Sequence, residues 1–390
     1  MSQSSNGLVH TICAMNSGFD INKTPLIVIW EANRTPDVNS PDGSVSCQAE
    51  RHSLELNTEE AEKLIADVAD LRPPIFGFNG SDPLKRSDIY QLIESAAYRQ
   101  LHPALSAQVT ALITSDAVLK LKKAGLSRLA LSLDGPTQEL QDDLSGVPGS
   151  FSRTMAAMSW ANRCLLPTQV NTIVNRRNVN ELENILHVIS SFRLAMWNLV
   201  FQIPTARGED RDLLSSVECE QVFARIYRMS QKVQFKIKTT EAQHYRRYVL
   251  QQRARSRGKS GDGDISEGIP GILPINEAKG FVFISHTGDV YPSPFLPLSA
   301  GNVRDASLAD IYRNSELFQK LRNSENLEGK CGNCECREIC GGSRARVYAM
   351  TGELFGEDPS CIYQPKRVKS AKINRAFDAD AAVEANTSST

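Results

Sequence analysis

The amino-acid sequence predicts an α/β fold with a parallel sheet, followed by a smaller metal-binding segment. Three observations support this prediction: strand and helix patterns alternate up to about residue 240, the strands are largely apolar, and cysteines cluster near the C-terminus. Such alternation produces a parallel sheet with right-handed crossovers, either doubly wound or closed into a partial barrel. In both architectures the functional residues lie at the carboxyl ends of the strands.

The alternation begins with an apolar strand at 25–30, whose composition is typical of a strand covered on both faces. Asn57 and Glu60 then match a capping box that starts a helix, and the prolines at 73–74 end it. A later helix is capped by Thr114 or Ser115 and ends at Gly125. The remaining strands are predicted at 75–78, 102–107, 128–133, 168–174 and 197–203, which gives about six βα units.

Composition and charge are those of an ordinary globular chain. The 390 residues are 41% hydrophobic and 23% charged, and the formal net charge is −1, which favours neither nucleic acid nor an anionic membrane. The first residues lack the basic and apolar regions of a secretory signal, and no apolar run approaches the ~20 residues that span a bilayer. We therefore expect a cytoplasmic protein with no nucleic-acid or membrane partner.

The composition divides the chain into five segments. We predict a flexible N-terminus at 1–22, a strand–helix domain at 23–240, a linker at 241–272, a C-terminal domain at 273–365 and a polar tail at 366–390. The linker is identified by an Arg/Gly/Ser-rich and then Asp/Gly-rich stretch. A hairpin is predicted at 280–291. Near the end of the last βα unit, His244 or Glu241 is a candidate substrate contact, with a charged helix face as an equal alternative.

Four cysteines of the C-terminal domain carry the strongest chemical signal. Cys331, Cys334, Cys340 and Cys361 follow the spacing C-x2-C-x5-C and then twenty residues, and five of the nine cysteines lie in this stretch. In a chain without a secretion signal, such a cluster indicates metal ligation rather than disulfides. The unpaired third and fourth cysteines favour an iron–sulfur cluster over a zinc ribbon, and plain buried cysteines are the third alternative. Cys336 is interpreted as a packing residue, with a substitute ligand as the alternative.

The cysteine segment resembles the C-terminal SPASM or "twitch" region of radical S-adenosylmethionine (SAM) enzymes. The resemblance is carried by the stretches CGNCECREICGGSRAR at 331–346, GDVYP at 288–292 and SLADIY at 307–312, and it extends from about residue 23 to 365. It implies a partial (β/α)6 barrel of the radical SAM type with a small SPASM/twitch-like domain. By the same resemblance the four cysteines hold one auxiliary 4Fe-4S cluster, since Ser293 stands where a cysteine for a second cluster is usual.

The resemblance also implies a SAM site. Gly80 and Asp82 belong to the stretch NGSDP at 79–83, which is similar to the family's Gly-Gly-Glu-Pro motif. Ser132 would face the SAM ribose, Asp134 follows it in the family's second contact element, and Arg153 would bind the methionine carboxylate, which suits the guanidinium fork. The alternatives are a strand-end turn for 133–135 and a surface position for Arg153.

The loop after the first strand departs from the family pattern. Radical SAM enzymes carry a C-x3-C-x2-C loop there, whose three thiolates leave one iron of a cluster open to SAM. Here Pro36 and Ser40 replace the first two cysteines, and Cys47 matches the third only if about four residues are inserted. Ser81 also replaces a motif glycine where the backbone approaches SAM. Since proline cannot bind iron and serine is a poor ligand, we expect weak SAM binding and no ordinary SAM cleavage.

Two functions follow from these features. The first is SAM-dependent radical modification of a peptide, a cofactor precursor or another small molecule. The second is a catalytically silent iron–sulfur or substrate-binding protein that partners an active homologue. The loop at 34–47 favours the second function, and the intact remainder of the pattern favours the first.

Overall fold

One sheet organises the part of the chain that the structure describes. The computed structural model describes residues 20–34, 53–107, 110–204, 209–256 and 274–365. Pro36, Ser40 and Cys47 lie outside these residues, as do nearly all of the predicted N-terminal segment, the later part of the predicted linker and the predicted tail. Across the described ranges, ten strands form the sheet in the order β10-β9-β1-β2-β3-β4-β5-β6-β7, and β8 pairs with β9.

The first seven strands are parallel and follow one another around the sheet. This arrangement confirms the six predicted strands and adds a seventh, β7. The strands are β1 (Ile27–Asn33), β2 (Ile75–Gly80), β3 (Pro103–Ala107), β4 (Arg128–Ser132), β5 (Thr168–Val174), β6 (Leu194–Phe201), β7 (Lys236–Thr240), β8 (Asn276–Glu277), β9 (Gly280–Ile284) and β10 (Val290–Tyr291).

Helices connect the parallel strands and continue into the C-terminal domain. They are α1 (Thr58–Leu71), α2 (Ile89–Tyr98), α3 (Ser115–Lys123), α4 (Gln138–Ser145), α5 (Ser150–Arg163), α6 (Leu182–Ile189), α7 (Ser216–Ser230), α8 (His244–Ser256), α9 (Leu308–Asn314), α10 (Glu316–Arg322), α11 (Gly329–Gly332) and α12 (Arg344–Thr351). Helix α8 fills the first part of the segment that the sequence predicts as a linker.

The helix boundaries arise from the local signals that the sequence contains. Asn57 accepts a hydrogen bond from the amide of Glu60 at 2.9 Å, and the Glu60 carboxylate accepts one from the amide of Asn57 at 2.8 Å, which confirms the capping box of α1. Thr114 caps α3 by accepting from the amide of Ala117 at 3.1 Å. Gly125 follows the end of α3 with a φ of +94°, a conformation that glycine adopts without strain.

The two faces of the sheet have opposite character, because side chains alternate along each strand. The face under the helices is apolar and closely packed, and Trp30, Phe76 and Trp197 have no exposed surface there. The opposite face, which we call the concave face, carries partly exposed polar residues such as Asn171 and Asn198. The buried face accounts for the apolar strand patterns, and the concave face is left open for ligands.

The C-terminal domain continues the same sheet. Strand β9 pairs in parallel with β1, from Ile27 opposite Phe281 to Trp30 opposite Ile284. Strand β10 then returns antiparallel to β9, which confirms the predicted hairpin. Among the residues placed by the structure, no helix is both long and apolar enough to cross a membrane.

Candidate metal centre and concave-face site

The cysteines of the C-terminal domain meet at one cavity. Cys331 lies in α11, Cys334 and Cys340 lie in the turns that follow, and Cys361 comes after α12. All four of these predicted ligands line the cavity, and Cys336 lines it as well. The structure therefore brings together residues that are up to thirty positions apart in the sequence.

Each of the four predicted ligands has a backbone amide at its sulfur. The Asp358 nitrogen lies 3.4 Å from the Cys331 Sγ, and the Cys336 nitrogen lies 3.4 Å from the Cys334 Sγ. The amide of Gly342 donates to the sulfur of Cys340, and the amide of Tyr363 donates to the sulfur of Cys361. In three of the four cases the amide is two residues after the cysteine. Such hydrogen bonds stabilise thiolates and tune the potential of an iron–sulfur cluster.

Burial favours the protonated form of three of the four predicted ligands, whereas hydrogen bonds from Cys336 lower the pKa of Cys334. Burial raises the pKa of Cys331, that of Cys340 to about 12 and that of Cys361 to about 11. The amide contacts lower these pKa values only in part. Metal binding must therefore displace protons, which makes cluster assembly dependent on pH.

Cys336 has a supporting position in the cavity. Its amide donates to Cys334, and its side chain is only 1% exposed. A hydrogen bond with the Cys334 sulfur, followed by burial, raises the pKa of the Cys336 thiol well above its ordinary value. Because its thiol donates a hydrogen bond to the predicted ligand Cys334, we interpret Cys336 as a packing and hydrogen-bonding residue.

The residues around the cavity fit an anionic cluster. His244 lines it, is 1% exposed, and has its Nδ1 4.0 Å from the Asp358 Oδ2, which is too far for a hydrogen bond. A bound cluster would give the buried imidazole an acceptor, which buried polar groups normally have. Within the described residues, no three ligand side chains converge on one point as they would around a single ion. The shared cavity and the four amide contacts support these cysteines as the cluster ligands.

A buried polar network supports the cavity from behind. The Arg346 Nη1 lies 3.2 Å from the Asp358 Oδ2, and the two side chains are 3% and 0% exposed. Burial alone would raise the pKa of Asp358, but the Arg346 guanidinium and hydrogen bonds from backbone amides lower it to about 2. Glu241 accepts a hydrogen bond from Ser343 in the same network. Glu241 and His244 are thus buried behind the cysteines, and the alternative of an exposed charged helix face is wrong for both.

The first two predicted SAM residues lie at the carboxyl end of β2. Gly80 has a φ of +146°, and a Cβ there would come within 2.4 Å of the Asn33 Oδ1, so only glycine fits this approach to β1. Asp82 is fully buried, and its carboxylate accepts from the Thr110 Oγ1 at 2.7 Å and from the Leu84 amide at 3.1 Å. Both residues shape the strand exit where the resemblance expects SAM.

The other three predicted SAM residues lie after β4. Ser132 ends the strand and is exposed, whereas the Asp134 Oδ1 accepts a 2.6 Å hydrogen bond from the amide of Ile173. Burial raises the pKa of Asp134 to about 6. Arg153 lies in the first turn of α5, and its Nη2 donates to the Pro148 carbonyl at 2.7 Å. The five positions share one end of the sheet, and their contacts with SAM stay a prediction.

A chain of polar side chains crosses the concave face. The Gln169 Nε2 donates to the Asn171 Oδ1 at 2.8 Å, the Asn198 Nδ2 contacts the same oxygen at 3.3 Å, and the Thr240 Oγ1 donates to the Asn198 Oδ1 at 2.8 Å. Arg128 begins the chain with a 3.3 Å contact to the Gln169 Oε1. Sequence reasoning missed this network, although Gln169 and Asn171, two positions apart on β5, were a usable signal.

The parallel strands form a half-barrel, and the domain that follows holds a cluster of cysteines at one cavity. These two features together define a class of iron–sulfur proteins. Residues 32–189 match the family model of the radical SAM superfamily, and residues 277–335 match the iron–sulfur cluster-binding domain called SPASM. The AdoMet-dependent heme synthase of Methanosarcina barkeri is 34% identical over 349 residues, which cover 87% of this chain and 97% of that protein. The chain therefore belongs to the radical SAM superfamily, in the branch that carries an SPASM domain.

More distant relatives share the architecture. The PqqA peptide cyclase of Bradyrhizobium diazoefficiens is 26% identical over 354 residues, covering 87% of each chain. The crystal structure of Streptococcus suis SuiB bound to S-adenosylmethionine superimposes with a TM-score of 0.65 at 14% identity, covering 87% of this chain and 76% of that one. At this identity the likeness shows the shared fold alone. These comparisons confirm the predicted fold class and the SPASM-type iron–sulfur domain.

Proposed function

We propose that this protein binds a tetrapyrrole of the heme type as its substrate, on the concave face of the half-barrel. The observation that carries the proposal is the 34% identity to a heme synthase over 97% of that protein's length. Of the three substrate classes expected from the sequence, a cofactor precursor is therefore favoured over a peptide. The peptide cyclases are less similar, at 26% identity.

The chemistry of the concave face supports a ligand of this kind. Ile173 is 48% exposed and lies on the same side of β5 as Asn171, so apolar and hydrogen-bonding groups stand next to each other. A tetrapyrrole offers both a flat apolar ring and charged carboxylate side chains. Ligand sites commonly combine apolar walls with a few placed polar groups in this way.

We further propose that the chain binds SAM weakly at the strand ends and does not cleave it alone. Radical SAM chemistry needs an electron passed to SAM from an open iron of a cluster held by three thiolates. Pro36 and Ser40 remove two of the three, and only Cys47 is left in the loop. This observation favours the second candidate function, an iron–sulfur and substrate-binding protein that partners an active homologue.

Two assays test these proposals separately. In the first, anaerobically purified protein is titrated with heme and followed by visible absorbance, with the precursor peptide of a peptide cyclase as the competing ligand class. Saturable heme binding at one site per chain is expected, and its absence would contradict the tetrapyrrole proposal.

In the second assay, reconstituted protein is incubated with SAM and dithionite, and 5′-deoxyadenosine is measured by chromatography. No product is expected above the level of a Cys47→Ala control. Product formation that depends on Cys47 would refute the silent function and show an active enzyme with unusual cluster ligands. The first assay is unaffected by this outcome, because substrate binding does not need SAM cleavage.

A further inference from the structure

Lys238 is a lysine of the concave face that has no hydrogen-bond or ion-pair partner among the described residues. It lies on β7 two residues before Thr240, on the same side of the strand, and Asn198 stands opposite it in the ladder with β6. Thr240 and Asn198 both belong to the polar chain of the concave face. Lys238 is partly buried, and no residue that the structure places forms a hydrogen bond or ion pair with its ammonium group.

Two arginines add their charges to the same region. Burial, with the positive charges of Arg246 and Arg128, lowers the pKa of Lys238 to about 8. Across the residues that the structure describes, the Arg128 guanidinium donates at 3.3 Å to the neutral side chain of Gln169 and forms no ion pair. Within the described ranges, the Arg246 guanidinium donates to the side chain of Asn276 at 2.7 Å and to the carbonyls of Ile339, at 2.9 Å, and Ile275. The carboxyl groups of Glu277 and Glu241 also act on its charge. No acidic group acts on the pKa of Lys238 in the described part of the chain.

Several other buried or partly buried cations among the described residues are paired with acids. Arg247 is bound by Glu220, Arg346 by Asp358 and Arg86 by Asp88. Lys238 and Arg128 form no ion pair with a carboxylate among the described residues, and two such cations near each other on a partly buried face are unfavourable, because burial weakens the screening by water. A ligand that supplies negative charge relieves this repulsion, and the free donors of Lys238 and Arg128 point to a carboxylate.

We propose that Lys238 and Arg128 bind a carboxylate of the substrate on the concave face, with Arg246 strengthening the positive potential. This inference rests on the proposed tetrapyrrole function, since the propionate side chains of heme-type tetrapyrroles supply the carboxylate. Gln169 accepts from Arg128 at 3.3 Å, and Asn198 lies opposite Lys238 in the ladder, so an amide stands beside each cation. The remaining tetrapyrrole ring faces the apolar side of the same surface at Ile173.

The test uses heme and its dimethyl ester, which lacks both carboxylates, as the two probes. Dissociation constants are measured by absorbance titration of the full-length, anaerobically purified protein and of Lys238→Gln, Arg128→Gln and Lys238→Arg. Lys232→Gln serves as the matched control, because Lys232 is an exposed lysine before the same strand. Circular dichroism and thermal melting check that each variant is folded.

Loss of either cation should raise the dissociation constant for heme about tenfold, which is the effect of one partly buried charge contact. Lys238→Arg keeps the charge and should bind within about threefold of wild type, and Lys232→Gln should be unchanged. The dimethyl ester should bind wild type more weakly than heme does. It should bind Lys238→Gln as it binds wild type, because it has no carboxylate for Lys238 to contact.

Two distinguishable results would contradict the proposed carboxylate site. If wild type and both glutamine variants bind heme equally, the carboxylate site is wrong while the tetrapyrrole proposal stands. If wild type binds no heme at all, the tetrapyrrole proposal fails and this inference fails with it.

Discussion

The ion pair of Arg346 and Asp358 is the best place to test the energetic role of the network behind the cysteines. We predict that Arg346→Met strongly destabilises the protein. Methionine keeps most of the side-chain volume but leaves the Asp358 carboxylate, which is 0% exposed, without its cationic partner. Removing one partner of a buried pair costs about 3–5 kcal/mol, because the other charge stays buried.

The pKa of Asp358 gives an independent measure of the same effect. Its folded value of about 2 lies below the ordinary 3.8, which corresponds to about 2 kcal/mol of net stabilisation of the ionised form. Because the pKa is lowered on folding, this stabilisation is complete above pH 3.8 and is lost as the pH falls toward 2. The lowered pKa is a net effect, because the attraction of Arg346 also has to offset the cost of burying the carboxylate. The attraction is therefore larger than the net value, and we expect Arg346→Met to lower the free energy of unfolding by about 3 kcal/mol at pH 7.

Urea unfolding of wild type and variants with equal iron content measures the free energy of unfolding. Arg176→Met is the control, since Arg176 forms a 2.9 Å pair with Glu218 that is 47% and 36% exposed, and its loss should cost less than about 1 kcal/mol. The double variant Arg346→Met with Asp358→Asn should be more stable than Arg346→Met alone, because the uncompensated charge is gone. A loss under 1 kcal/mol in Arg346→Met, or no recovery in the double variant, would refute the reasoning.

Three further predictions concern the metal and the ligands. Cys334→Ala and Cys340→Ala should each abolish the brown colour and the bound iron measured by colorimetric assay, whereas Cys336→Ala should keep most of both; stoichiometric zinc without iron in wild type would disprove the cluster. Arg153→Ala should weaken SAM binding about tenfold in calorimetry, and unchanged binding would remove Arg153 from the SAM site. Heme affinity should fall as the pH rises through about 8, where burial and the neighbouring arginines place the pKa of Lys238, and the fall should vanish in Lys238→Gln.

The sequence predicted the strands that carry a continuous apolar signal and missed those that do not. Strands β1 to β6 each contribute apolar residues to the face under the helices, and local caps such as Asn57 mark the helix starts. Strand β7 has the sequence KIKTT, in which Ile237 alone is apolar, so its alternation was too weak to identify. Helix α8 was likewise missed, because its buried residues include Arg247 and His244, which interrupt the apolar pattern of a helix face.

The candidate site was predictable only where chemistry and spacing coincide. The cysteine set was identified because thiolate ligands are rare and their spacing is distinctive, and the structure places all four at one cavity. The pairing of Arg346 with Asp358 and the isolation of Lys238 were not predictable, because sequence gives the charge of a side chain but not its burial or its neighbours. The roles of Gly80, Asp82, Ser132, Asp134 and Arg153 toward SAM stay predictions.

The pairing of β9 with β1 has a consequence for the order of folding. Ile27 and Phe281 are partners across about 250 residues of chain, so β1 is an open sheet edge until the C-terminal domain has been synthesised. A parallel strand pair this distant in sequence forms late in folding, because the long intervening chain loses conformational entropy before the contact stabilises it. A fragment that ends before residue 274 should therefore expose the β1 edge and self-associate, and occupation of the cysteine cavity should help to hold the sheet closed.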